Sequence, residues 1–375
     1  MNTLNTLMEY YKDSTAYARK WKQDGGKVIG YFCNVVPEEL IMAAGFLPVR
    51  VTVSPDADMR KGGEKMGRAE GFAVAMAGRV ISGNYDFLDY LVVPHARGSV
   101  HKMYSVFRDL KKEKPDCPVP EIYFLDHAHS SYMTSQNYNR DRILEFVKKL
   151  EEWSGKDITE EALKEAVMIT NRTKELLSEF AKRRAEGTID LTGTEALAVI
   201  GASMLMDKKE YNELLAALLE EEAAGENCGF RVFFSGCPQY STDLYELLES
   251  CEAGVIAENH CWGNRAGENP IEIRGNVLED IIHRYNTKAP CPSTPPLEGR
   301  VRYFISCIEK AQPDGVVFFS LRGDAEAWDI PDEIAYLKEK GIPYIYFEKQ
   351  KYPVGDPEEI RARMTEFIGS GKEGE

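Results

Sequence analysis

The sequence predicts an α/β protein built on two open parallel sheets joined by helices. Three observations carry that expectation: short apolar runs alternate with helical stretches in residues 25–125, the alternation resumes after residue 230, and residues 139–219 between them read as almost wholly helical. At 375 residues the chain is longer than one core usually serves, so more than one domain is expected.

Residues 10–22 read as a polar helix, and residues 27–32 as a buried strand entered from Gly25 and Gly26. Pro37, Glu38 and Glu39 then open a helix, because proline suits a first helical turn and carboxylates complement the positive end of the helix dipole. Gly45 stops it, and residues 46–53 resume as a strand. An Ala-rich helix over 69–81, a strand over 87–94, a helix over 99–112 and a strand over 121–125 complete the first series.

Apolar spacing at Ile143, Phe146, Val147 and Leu150, and again at Leu163, Ala166, Val167 and Thr170, marks the helical region. The second series follows with strands beginning at Arg231, Gly254, Gly315 and Pro343. Such alternation implies parallel sheets of the Rossmann or flavodoxin kind, whose ligands sit beyond the strand ends. The expected organisation is an α/β domain over 1–138, a helical connector over 139–225 and a second α/β domain over 226–375. The proline-rich stretch 290–296 reads as a rigid loop within the second half.

Hydrophobic residues make up 43% and charged residues 29%, the mixture of a globular protein. A net charge of -15 argues against nucleic acid as a partner, since phosphate binding draws on clustered Lys and Arg. No apolar stretch reaches the length of a membrane span, and residues 1–11 lack the segments of a secretory signal, so the chain is expected to be cytoplasmic. Eight scattered cysteines form no CxxC pair, which fits free thiols in a reducing compartment.

Residues 30–50, GYFCNVVPEELIMAAGFLPVR, resemble the N-terminal signature of the 2-hydroxyacyl-CoA dehydratase and benzoyl-CoA reductase family. Further stretches match in register: NYDFLDYLVVP at 84–94, AENHCWGNR at 257–265, APC at 289–291, PDGVVFF at 313–319 and GIP at 341–343. The resemblance implies a heterodimer of related subunits that binds an acyl-CoA beside [4Fe-4S] clusters, with an ATP-dependent iron-sulfur activator supplying one low-potential electron for ketyl radical chemistry.

It also implies three cluster cysteines: one in the helix before the NYDFLD stretch, one just after the strand ending at Pro94, and one after the late strand. Here those stretches read GFAVAM at 71–76, PHARGS at 94–99 and SLRGD at 320–324, without a thiol. The expectation is therefore that this chain holds no metal or cluster, and that a [4Fe-4S] cluster belongs to a partner subunit or activator.

Candidate site residues follow from strand ends and from the resemblance. Cys33 and Asn34 follow the first strand, where substrate is expected. Glu38 and Glu39 either serve the substrate or sit at a helix N-terminus, and Glu39 is taken as a catalytic candidate. His95 and Arg97 follow the strand ending at Pro94; Arg97 in place of a cysteine offers positive charge to a carboxylate, phosphate or thioester oxygen, against the reading of an ordinary surface loop.

His127 and His129 have metal-ligand spacing but no third ligand in sight. In the 258–265 stretch Glu258 is an acid/base group, His260 is expected to titrate near neutrality and to be catalytic, and Cys261 and Arg265 are expected to bind substrate. Two other readings fit the same residues: a redox-inert partner subunit that walls the substrate pocket, and a small-molecule binding protein using the cleft between lobes.

Overall fold

The computed structural model describes residues 3–53, 59–221, 229–288, 291, 296–352 and 354–372. Two four-stranded sheets, all parallel, organise the chain. The first comprises β1 (Val28–Tyr31), β2 (Leu47–Arg50), β3 (Tyr90–Pro94) and β4 (Glu121–Leu125), in the order β2-β1-β3-β4. The second comprises β5 (Phe230–Gly236), β6 (Ala253–Asn259), β7 (Gly315–Leu321) and β8 (Tyr344–Gln350), in the order β6-β5-β7-β8.

The two orders are the same, and in each the strand order reverses beside the first strand. The connections part there to opposite sides, so crevices open beyond the ends of β1 and β3 and of β5 and β7. Pro48 lies in β2, an edge strand, where its missing N–H costs no ladder bond. Central strands β1 and β7 are buried throughout, which is why they read as unbroken apolar runs.

Some expected elements differ. The helix expected over 10–22 is two helices, Thr3–Lys12 and Ala16–Gln23, because the Asp13 carboxylate accepts from both the backbone N–H and the hydroxyl of Thr15 and breaks the run. The strand expected over 87–94 begins only at Tyr90, since the Asp89 carboxylate takes the backbone N–H of Val28 and pairs with Lys22. The strand expected over 46–53 closes its ladder at Arg50.

The helical region comprises Met133–Ser154, Glu160–Glu186, Gly193–Ala202 and Lys208–Glu220. The boundary expected at 138 falls inside the first of these helices, and that expected at 225 lies outside the described residues, as does most of the proline-rich loop. Helix Gly193–Ala202 starts with a Thr192 and Glu195 capping box and is buried along most of its length. It packs against helix Thr3–Lys12 and β6, so one core runs through both sheets. Helix Val277–Thr287, although it follows β6, buries Val277, Ile281 and Tyr285 in the core beneath the first sheet. The halves therefore interlock, which holds their strand ends against each other. No helix among the described residues is long and apolar enough to cross a membrane.

Candidate functional site

Where the strand ends meet, a cavity of about 60 Å³ is lined by Cys33, Asn34, Arg50, Arg97, Asn259, His260, Cys261, Arg265, Cys291, Glu326 and Glu333, among others. Most of these residues end a strand or follow one, as the doubly wound topology requires. Cys33 turns the chain out of β1 with φ of 58°, a conformation costly for a residue with a Cβ and held by its surroundings. Burial pushes its thiol up to about 12 against the opposing pull of Arg50.

Arg50, the last residue of β2, is 2% exposed. Its Nη1 donates to the Cys261 carbonyl at 2.8 Å, its Nη2 lies 2.7 Å from Cys261 Sγ, and its guanidinium sits 4.8 Å over the Trp262 ring. Arg265 spends Nε and Nη2 on Asn259 Oδ1, at 2.9 and 2.6 Å, and leaves Nη1 buried without a partner among the described residues. Lys288 Nζ donates to the Asn34 carbonyl at 2.8 Å, and burial pulls its ammonium down to about 8. Carbonyl, amide and sulfur atoms, not carboxylates, are the partners of these three cations among the described residues. Buried charge without a counter-ion is costly, and two of these cations, Arg50 and Arg265, line the cavity.

Acidic side chains line the same cavity. Glu333, from helix Ile330–Lys340, is 3% exposed, accepts one 3.4 Å bond from Ser235, and is pushed by burial up to about 8. Asp329 is held by Arg300 at 2.7 and 2.8 Å.

Arg97 differs from its expected role. Its Nη1 donates to Asp324 Oδ1 at 3.1 Å, its Nη2 binds Glu326, and its guanidinium lies 5.4 Å over the Phe72 ring. The charge expected to await a substrate is thus already matched. The stretches 71–76, 94–99 and 320–324, separate in sequence, meet here through Phe72, Arg97 and Asp324. An aromatic ring, a guanidinium and a carboxylate cannot ligate iron as three thiolates do, so these positions do not fit a [4Fe-4S] cluster. Cys33, Cys261 and Cys291 do line the same cavity, yet no group of three or more His, Cys, Asp or Glu among the described residues is set to hold a metal.

His260 is 2% exposed; its Nδ1 accepts from the Trp262 N–H at 3.3 Å, so Nε2 carries the proton toward the Tyr245 hydroxyl 3.1 Å away. Burial, which Glu258 only partly offsets, holds it down to about 4, so it is neutral where titration was expected. Glu258 is consumed by a bidentate pair with Arg184, both bonds 3.0 Å.

Glu39 is fully buried, accepting from Lys174 at 3.2 Å and from the Tyr285 hydroxyl at 2.8 Å, and does not line the cavity. Burial works to raise it, but Lys174 and Arg284 hold it down at about 2. Glu38 pairs with Lys208 at 3.1 Å. His95 turns away from the cavity lining toward Asp126, 2.7 Å from Nδ1. His127 is pulled down to about 3 by burial, and Asn139 lies 3.3 Å from its ring.

Sequence reasoning missed Arg50, Lys288, Glu326 and Glu333. Arg50 alone left a signal, an ionised residue closing an apolar strand. Glu326 and Glu333 reach the cleft, and Lys288 the backbone of Asn34, from helices and loops whose aim no spacing reveals.

A family profile described as "2-hydroxyglutaryl-CoA dehydratase, D-component" matches residues 33–370. The (R)-phenyllactyl-CoA dehydratase beta subunit of Clostridium sporogenes is 23% identical over 93% of this chain and 94% of its own length. The (R)-2-hydroxyglutaryl-CoA dehydratase subunit beta of Acidaminococcus fermentans is 23% identical over 91% of this chain and 93% of its own. A benzoyl-CoA reductase subunit of Thauera aromatica is 23% identical over 96% of this chain and 95% of its own.

Proposed function

The chain belongs to the 2-hydroxyglutaryl-CoA dehydratase D-component family, and on that premise we propose that it is a cluster-free subunit that binds an acyl-CoA thioester in the cleft between its sheets. The observation that carries this reading is the pair Arg50 and Arg265, buried cations of the cavity lining without carboxylate partners among the described residues, with Lys288 bonded to the backbone of the lining residue Asn34, in a chain whose net charge is -15. Their N–H groups suit the thioester carbonyl or an anionic group of the ligand. The Asn259 amide keeps Arg265 in place, and Glu333, protonated at neutral pH, offers a proton in the same cavity.

In this reading the one-electron chemistry comes from a related partner chain with a [4Fe-4S] cluster and from an ATP-dependent activator. The partnership is supported by the relatives, which are named as subunits. Phe72, Arg97 and Asp324 support the absence of a cluster in this chain.

Anaerobic purification with iron and sulfide analysis, solution mass measurement and calorimetry with acetyl-CoA test the reading together. The expected result is no stoichiometric iron, thioester binding, and assembly with a related chain. About four irons per chain, lost on Cys33→Ala or Cys261→Ala, would sink it. So would an active monomer.

A further inference from the structure

A second and larger cavity, about 720 Å³, lies between helix Thr3–Lys12, the residues just past β2, helix Gly193–Ala202 and the start of helix Asp243–Glu249. Tyr240 stands between the chamber and the cleft, lining both. Its size is that of a small-molecule site.

Three residues of its lining carry buried polar atoms without partners among the described residues: Arg79 at Nε, Thr52 at Oγ1 and Tyr11 at its hydroxyl. Arg79 and Thr52 are 7% and 3% exposed. Arg79 Nη1 is anchored by the carbonyls of Thr52 and Val53, at 2.9 and 3.0 Å, and no carboxylate among the described residues pairs with it. Burial keeps Tyr11 protonated, so all three groups are able to donate. Donors left unsatisfied beside a cavity call for an acceptor-rich group.

The remainder of the chamber has the opposite sign. Glu9, Asp13, Asp243 and Glu246 line it against the two cations Lys12 and Arg79. This balance repels a polyphosphate such as the coenzyme A nucleotide, so the chamber is no extension of the thioester site. Met8, Ala198 and Leu205 add apolar surface.

We propose that the chamber is a second ligand site for a zwitterion, an α-amino acid with an apolar side chain, its carboxylate on the Arg79, Thr52 and Tyr11 donors and its ammonium toward Asp243 and Glu246. One pole alone leaves half of the lining uncompensated.

Calorimetry of the whole chain against the twenty common L-amino acids tests this, with 3-phenylpropionate and phenethylamine as single-charge counterparts of L-phenylalanine. The expected result is that apolar amino acids bind, with L-phenylalanine about tenfold or more tighter than either counterpart. Asp243→Asn and Thr52→Val should each weaken it by about tenfold without lowering the unfolding temperature beyond a few degrees. The proposal is overturned if no amino acid binds, if 3-phenylpropionate binds as well as L-phenylalanine, or if coenzyme A displaces the amino acid.

Discussion

Arg97 and Asp324, 227 residues apart, meet at 3.1 Å and tie the loop after β3 to the loop after β7 across the cleft. Both side chains are largely shielded, at 13% and 0% exposure, and Glu326 completes the triad.

Removing one partner of a buried pair strands the other charge. Arg97→Ala is expected to destabilise the chain by about 3 to 5 kcal/mol in urea unfolding. The triple change Arg97→Met, Asp324→Asn, Glu326→Gln should recover most of it. Equal losses in the single and triple variants would show that packing on Phe72, not charge, is what Arg97 provides.

Glu39 and Lys174 form the second enclosed pair. With Glu39 held at about 2 against an ordinary 4.5, its contribution is complete above about pH 4.5 and is lost as pH falls toward 2. Glu39→Gln should therefore lower stability at pH 7 by about 3 kcal/mol or more and leave acetyl-CoA affinity unchanged. A variant of normal stability with lost binding would return Glu39 to the site.

His260 is depressed to about 4 from 6.5, so between those values the unfolded chain binds more protons than the folded one. Its contribution is present above pH 6.5 and is lost as pH falls to about 4. His260→Gln should flatten the stability profile across that window, as measured by urea unfolding at stepped pH. An unchanged slope would place the imidazole in a wetter setting.

Glu333 has the opposite sign. Raised to about 8 from 4.5, it binds its proton more tightly when folded, so stability from this group is full below pH 4.5 and is lost as pH rises to about 8. Glu333→Gln, relative to the parent chain, should gain stability steadily from pH 5 to 8. A constant offset between the two profiles would contradict a protonated carboxyl.

Arg265→Gln removes the unpartnered Nη1 and the two bonds to Asn259 but no ion pair, so it should cost about 1 to 3 kcal/mol of stability. Loss of a charged hydrogen bond, worth about 1.5 to 3 kcal/mol, predicts acetyl-CoA binding weakened by roughly ten- to a hundredfold. Unchanged affinity in calorimetry would move the thioester elsewhere.

The sequence by itself determined the two parallel sheets and the places where their strands end. Local periodicity reports burial, and β1, β3, β5 and β7 are buried enough for their apolar runs to show it. It therefore placed Cys33, Asn34, Arg97, Cys261 and Arg265 at one cleft.

What each side chain does there only the tertiary structure decided, because a charge acts through its nearest counter-charge and spacing does not reveal which that is. Glu39 resembled a free carboxylate until Lys174 closed on it, and Arg97 resembled a free cation until Asp324 and Glu326 did. Arg50 and Arg265 met no such carboxylate among the described residues and are bonded instead to Cys261 and Asn259.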